Sequence, residues 1–282
     1  MPLPSLTVAM PAYNAAGFIR EALDSVLSLR DVDLEVIIVD DASTDDTAEV
    51  VQQVGDARCR LLRNSRRHGI GHCHNRVLQE SRAPVIAHVD ADDKLRKGAL
   101  AQMVAALESD ERVGLVHCYF YDVDASGRTT RAEFCERSKV FRRERPADLD
   151  YREALRNSPA KANALRTYRR SVLIELGGFN EDIPFGVDYE MTLRILERHE
   201  ILLVPKFFYA RRLHSTNTTE SLVFKRARLW LRKYLIRRSV LRKGQVTYWR
   251  DANFDPLYFL NGERMRLARR IRAAFRGQGG AS

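Results

Sequence analysis

Val85-Ile86-Ala87-His88-Val89-Asp90-Ala91-Asp92-Asp93 decides the fold. Four of its first five residues are apolar, and the run then stops on three carboxylates within four residues. A short, nearly continuous apolar run ending at polar residues is what a strand buried on both faces looks like, and such strands belong to parallel sheets covered by helices. Ligands of these sheets bind beyond the carboxyl ends of the strands. The acidic run therefore marks a candidate site as well as the end of a strand.

The same rhythm extends on both sides of this stretch. β-Rich runs at Leu6–Met10, Leu34–Val39, Cys59–Leu62, Val85–Val89 and Val113–Tyr121 predict strands. Amphipathic stretches at Gly17–Leu29, Thr44–Val54, Gly71–Glu80 and Lys97–Leu107 predict helices between them. Stacked βαβ units follow, giving an α/β class with a Rossmann-like, mainly parallel sheet flanked by helices. Ser43 and Thr44 before Asp45 and Asp46 read as the capped start of the second helix. Residues 124–150 are polar and Arg-rich, with Gly127 and Pro146, and read as a loop excursion over the surface or a ligand. Regular structure is expected again over Ala164–Leu176, with a break at Gly177-Gly178, a helix over Asp188–Arg198 and a short strand at Ile201–Val204.

With 282 residues and 45% hydrophobic content, the chain can bury one substantial core and a smaller appended subdomain. The net charge of +10 is unevenly placed. Residues 225–282 carry 16 Lys/Arg and 3 Asp/Glu, or +13, which leaves −3 for residues 1–224. Two basic amphipathic helices are expected after His214. Their apolar face, from Ala227 and Trp230 to Leu231, Tyr234 and Leu235, fits packing on the rest of the protein or contact with an anionic membrane. No nucleic-acid reading motif accompanies the charge, so nucleic acid is not the expected partner. Cys59, Cys73, Cys118 and Cys135 form no Cys-x-x-Cys pair and are expected to be reduced and mostly buried. No signal-peptide pattern and no run of about 20 apolar residues is present, which predicts a cytoplasmic protein, with peripheral attachment to the inner face of the membrane open to it.

Three polar clusters fall at predicted strand ends: Pro11-Ala12-Tyr13-Asn14, Asp40-Asp41-Ala42-Ser43 and Asp90-Ala91-Asp92-Asp93. Each alone could cap a helix; together they make a rim. Tyr13 offers a ring for a base to stack on, and Asp40 or Asp41 a carboxylate for a base N–H or a ribose hydroxyl. The crowded charges of Asp90, Asp92 and Asp93 call for a counter-charge. Mg²⁺ or Mn²⁺ held by one or two carboxylates plus substrate phosphates supplies one.

In order along the chain, Pro11-x-Tyr13-Asn14, Val39-Asp40-Asp41-x-Ser43-x-Asp45, Asn64 with Gly69 and Asn75, Asp90-Ala91-Asp92-Asp93, Gly177-Gly178-Phe179 and Asp188 resemble the family 2 glycosyltransferases, which invert and have a GT-A fold. The resemblance implies a catalytic domain over residues 1–220, with a nucleotide-binding half (1–110) and an acceptor-binding half (111–220), followed by a basic helical extension (221–282). It implies a nucleoside-diphosphate sugar as donor, with UDP favoured, and a saccharide or lipid-linked acceptor. By the same resemblance, Pro11, Ala12, Tyr13, Asn14, Asp40, Asp41, Asn64, Gly69, Asn75, Asp90 and Ala91 bind substrate. Asp92 and His214 flank the metal, and Asp188 is the general base. The chain has Val187-Asp188 where the family usually has Glu-Asp, and His74 where an Arg is commoner.

His68, His72 and His74 look like a metal cluster, but His72 and His74 are two apart on a predicted helix and face differently. His88, His117 and His199 read as satisfied structural histidines in strand or helix interiors. A nucleotidyltransferase also places acidic metal ligands on such a sheet, yet it needs a basic Gly-rich loop after the first strand, which Pro11-Ala12-Tyr13-Asn14 is not. A non-catalytic nucleotide-sugar-binding protein, tethered by the tail, is the remaining alternative.

Overall fold

The computed structural model describes residues 3–130, 164–183 and 186–215. The elements run β1 (Leu6–Ala12), α1 (Ile19–Leu27), β2 (Leu34–Asp40), α2 (Thr47–Gln52), β3 (Cys59–Arg63), α3 (Ile70–Glu80), β4 (Val85–His88), β5 (Lys94–Leu95), α4 (Ala99–Glu108), β6 (Val113–Val123), β7 (Ala164–Arg169), α5 (Arg170–Glu175), α6 (Val187–Ile195) and β8 (Glu200–Arg212). The remainder of the loop expected over 124–150 and the helices expected after His214 lie outside the described residues.

The strands form one sheet in the order β3-β2-β1-β4-β7-β6-β8-β5. β3, β2, β1 and β4 are parallel, whereas β7 runs antiparallel to both β4 and β6. β6 and β8 pair in parallel, and β5 closes the edge antiparallel to β8. The α/β class and its GT-A-like architecture are thus present, with a mixed second half. Residues in β1, β2 and β4 are buried almost without exception because helices cover both faces, which is why those strands lack alternation in the sequence. On one side Ile19, Ala22, Leu23 and Val26 of α1 join Leu100, Met103 and Leu107 of α4 in the core against Val8, Met10, Val36 and Val116.

Three expectations need correction. The second helix begins at Thr47, and Ser43 and Thr44 do not cap it. Ser43 Oγ instead accepts the Asn14 N–H and Thr44 donates to Asn14 Oδ1, while Asp45 Oδ1 accepts the Thr47 N–H. β8 continues far beyond Val204, since a bulge at Pro205-Lys206 absorbs the proline: Cys118 pairs with Val204 and Tyr119 with Phe207. His199 is not inside a helix; it follows α6, with Nε2 2.9 Å from Glu175 Oε2.

The break at Gly177-Gly178 is a clamp. Both glycines have φ near +75°, and a Cβ on Gly178 would lie 2.6 Å from Asn75 Oδ1. The Asn75 amide donates to Phe179 C=O and accepts the Phe179 N–H. Arg194 of α6 donates to Leu176 C=O and Gly178 C=O while pairing with Glu190. The turn therefore ties α3 to α6.

Beneath it, His74 of α3 and His88 of β4 stack with ring centroids 3.7 Å apart, against Phe179. Neither Nδ1 has a hydrogen-bond partner among the described residues, so His88 is packed rather than satisfied by hydrogen bonds. Burial, and secondarily the charge of Arg166, pulls His74 from an ordinary 6.5 down to about 3. A histidine whose folded pKa is depressed contributes stability above the unfolded pKa and loses it as pH falls toward the folded one. His74→Leu should therefore gain on the wild type by about 1.4 kcal/mol per pH unit below 6.5 in urea denaturation, down to about pH 3. A stability difference that does not change with pH would contradict this.

Candidate active site

β2, β1 and β4 lie side by side, so their three polar ends form one rim. Ala12 pairs with Asp40 in register, and Ala12 C=O accepts the Asp41 N–H at 2.9 Å. Val89 N–H donates to Ala9 C=O on the other side of β1.

Asp41 organises the loop after β3. Its carboxylate accepts from Asn64 Nδ2, the His68 N–H and the Gly69 N–H, all within 2.9 Å, and Gly69 opens α3 with φ +98°. Cys73 of α3 also makes a side-chain hydrogen bond with Asp41. Asn64 Oδ1 in turn accepts from Arg76. Asp40 is fully buried, accepts the Ser43 N–H and lies 3.5 Å from Arg63. The Arg67 guanidinium lies 3.9 Å from the centroid of the Tyr13 ring. Pro11 and Ala12 are part of β1. Asn14, at φ +51°, bridges two rim loops through its backbone and side chain. Asn14 and Asn75 thus have structural partners within the protein, as does the Asn64 amide.

The acidic corner follows β4. Asp90 donates its N–H to the Tyr209 hydroxyl, Ala91 is buried, and Asp93 is almost fully buried with its Oδ1 accepting the Arg212 N–H. Burial, then the charge of Asp92, pushes the Asp90 carboxyl up to about 6 against the pull of Arg166. Asp93 is likewise raised, by burial and then by Asp90 and Asp92. Asp92 has 30% of its side chain exposed and points to His214: Oδ2 and Nε2 are 2.9 Å apart.

That separation fits a shared hard cation. Two cis ligands, each about 2.1 Å from an octahedral ion, lie about 3 Å apart. A carboxylate and an imidazole suit Mn²⁺, and Mg²⁺ when phosphate oxygens and water complete the shell. No set of three or more His, Cys, Asp or Glu side chains able to hold a metal occurs among the described residues, including around His68, His72 and His74.

Arg212 braces this corner and was invisible as a functional residue in the sequence. It is 1% exposed. Its guanidinium donates to Asp92 C=O, Ala125 C=O and Glu21, and it lies over Phe18, whose ring packs 4.4 Å from that of His214. Asp188 opens α6 behind Gly186, which has φ +72° and precedes the helix; its Oδ2 accepts from Arg166 at 2.8 Å. Asp188, Arg166 and Asp90 are close enough for their charges to influence one another.

The sequence matches the family model described as glycosyl transferase family 2 over residues 7–177. The chain belongs to glycosyl transferase family 2. Among family members and related proteins, the uncharacterised Mycobacterium tuberculosis protein MT1568 is 30% identical over 261 residues, 90% of this chain and 77% of that protein. Pasteurella multocida hyaluronan synthase is 27% identical over 90% of this chain, which spans only 25% of the synthase. In fold the chain is similar to S. aureus TarS in complex with UDP-GlcNAc (TM-score 0.66, 21% identity, 84% of this chain and 66% of that one). It is also similar to the Pyrobaculum calidifontis mannosyltransferase PcManGT in complex with GDP-Man and Mn²⁺ (TM-score 0.64, 22% identity, 100% and 77%). Among the described residues, no helix is long and apolar enough to cross a membrane. Cys59, Cys73 and Cys118 are free thiols, and burial raises Cys118 to about 12; Cys135 is outside the described residues.

Removing the brace should loosen the corner it holds. Arg212→Ala breaks hydrogen bonds to Asp92, Ala125 and Glu21 and should lower stability by about 3 kcal/mol in denaturant unfolding. A wild-type unfolding midpoint would show that the brace carries little.

Proposed function

We propose that this family 2 member is an inverting glycosyltransferase that moves a sugar from a nucleoside-diphosphate sugar, with a UDP-sugar preferred, to a hydroxyl of a saccharide or lipid-linked acceptor. The observation that carries the reading is the convergence of Asp92 Oδ2 and His214 Nε2 on one point at the end of the nucleotide rim. Synthesis of a polysaccharide, lipopolysaccharide or other glycoconjugate is the matching role. The similarity to hyaluronan and chondroitin synthases supports it, as does the likeness to proteins solved with UDP-GlcNAc and with GDP-Man and Mn²⁺.

In this reading Tyr13 stacks the base, and Asp41, oriented by Asn64, His68 and Gly69, accepts a base N–H. Pro11 and Ala12 form the floor, and Asn14, Asn64, Gly69 and Asn75 hold the loops around it. Asp90 faces the ribose side, with Ala91 keeping the backbone slim, while the fully buried Asp40 supports the rim from beneath through the Ser43 N–H. Asp92 and His214 hold Mn²⁺ or Mg²⁺, which neutralises charge gathering on the departing diphosphate. Asp188, 27% exposed and at a helix N-terminus, takes the proton of an acceptor hydroxyl that attacks the anomeric carbon opposite the leaving group. One displacement inverts that carbon and needs no enzyme nucleophile, unlike the double displacement of retaining glycosidases. Residues 1–110 then bind the donor and 111–220 face the acceptor. The basic segment 221–282 suits peripheral contact with an anionic cytoplasmic membrane surface.

A thermal-shift and hydrolysis screen of UDP- and GDP-sugars with and without Mn²⁺ tests the reading, which expects stabilisation by at least one donor. Asp188→Asn should keep donor binding and lose transfer by a factor on the order of a thousand, while Asp92→Ala should weaken metal-dependent donor binding. Absence of binding by every donor in both conditions would end the proposal, and equal loss of donor binding in the two variants would remove Asp188 from its role.

A further inference from the structure

Arg166 belongs to no motif in the sequence, yet the backbone is bent to deliver it. In the β6–β7 pair, Val116 opposes Thr167 but Cys118 opposes Ala164, so β7 carries one extra residue at Leu165-Arg166. Leu165 adopts φ +48°, a left-handed conformation that a bulky residue takes at a cost of roughly 1–3 kcal/mol. β-Bulges re-aim side chains, and they concentrate beside active sites. On the other side of β7 the pairing with β4 ends at Ala87 and Thr167, so Arg166 stands where β4 gives way to the acidic corner.

A buried guanidinium is costly unless paired. Arg166 is only 11% exposed, donates from Nη1 to Asp188 Oδ2 at 2.8 Å, and interacts electrostatically with Asp90. Burial opposes its charge, but Asp188, Tyr168, Asp90 and Tyr209 together hold its pKa above the usual arginine range. The buried histidines near it have lowered pKa values: burial and then Arg166 act on His74 and His117, and burial, His74 and then Arg166 act on His88.

We propose that Arg166 is a positioning residue for sugar transfer: a bulge-mounted buried cation that pins one oxygen of Asp188, so that the other faces the acceptor hydroxyl. The inference rests on the reading of Asp188 as the base. It adds a residue of the antiparallel strand β7 to a site otherwise built from the ends of parallel strands and from α6 and β8. Among the described residues, the Arg166 hydrogen bond falls on Oδ2 of Asp188, which leaves Oδ1 able to accept from a further donor. Misplacing such a base by about 1 Å costs on the order of 100-fold in rate.

The test uses the full chain with MnCl₂ and either UDP-N-acetylglucosamine or GDP-mannose, measuring nucleoside diphosphate released to water, together with crystal structures of the variants. Arg166→Gln should lower kcat about 100-fold and leave KM for the sugar nucleotide within about threefold, with the Asp188 carboxylate displaced in the crystal. Arg166→Lys, which keeps the charge, should recover at least about tenfold of the loss. An undiminished kcat, a raised KM at constant kcat, an unmoved Asp188 carboxylate, or Arg166→Lys no better than Arg166→Gln would each overturn the inference. If Arg166→Gln does not fold, Arg166→Lys decides: full kcat in a structure where the lysine no longer touches Asp188 rejects it. Asp188→Asn run in parallel separates the two claims. Retained kcat there removes the base itself, whereas loss there with a normal Arg166→Gln removes only Arg166.

Discussion

Four carboxylates gathered around the end of β4 have to be compensated, and much of the structure is the means of doing so. Asp90, Asp92 and Asp93 follow the strand within four residues, and Asp188 arrives from α6 close enough to add to the charge on Asp90. Left alone, like charges in a half-buried corner would repel by several kcal/mol or hold protons. Each has an answering group: the Arg212 N–H for Asp93, His214 for Asp92, and Arg166 for both Asp188 and Asp90.

Those answering groups explain the mixed sheet. A purely parallel sheet would put β4's neighbour in the same direction, with its own carboxyl end on the same rim. The antiparallel β7 instead presents its beginning there, and its bulge turns Arg166 inward. β8, lengthened past Pro205 by a second bulge, reaches Tyr209, Arg212 and then His214. Glu21 of α1 completes the brace on Arg212. The Asp92 carboxylate beside His214 is what a divalent ion would use, and a diphosphate would bind through that ion.

The parallel half was legible in the sequence because burial on both faces writes continuous apolar runs, and because carboxylates just beyond them have few other uses in a sheet of this kind. Family motifs added Asp188 and His214, which no periodicity identifies. The other compensating residues were not legible. Arg166 depends on one extra residue in β7 and on the positive φ of Leu165. Arg212 and Glu21 are 191 positions apart and look like ordinary surface charges until the fold joins them. Ser43 and Thr44 read as a helix cap because local hydrogen bonding favours one, but the Asn14 side chain competes for the same groups and wins them. The clasp of the Asn75 amide on Phe179, in both directions, was likewise not legible, because it joins residues 104 positions apart.

The most direct measurement is anomalous diffraction at the manganese edge from crystals of the full chain grown with UDP and MnCl₂. One strong peak is expected about 2.2 Å from both Asp92 Oδ2 and His214 Nε2, with the diphosphate on its open side and the uracil against Tyr13 and Asp41. Manganese bound elsewhere, or UDP seated away from the ends of β1, β2 and β4, would contradict it.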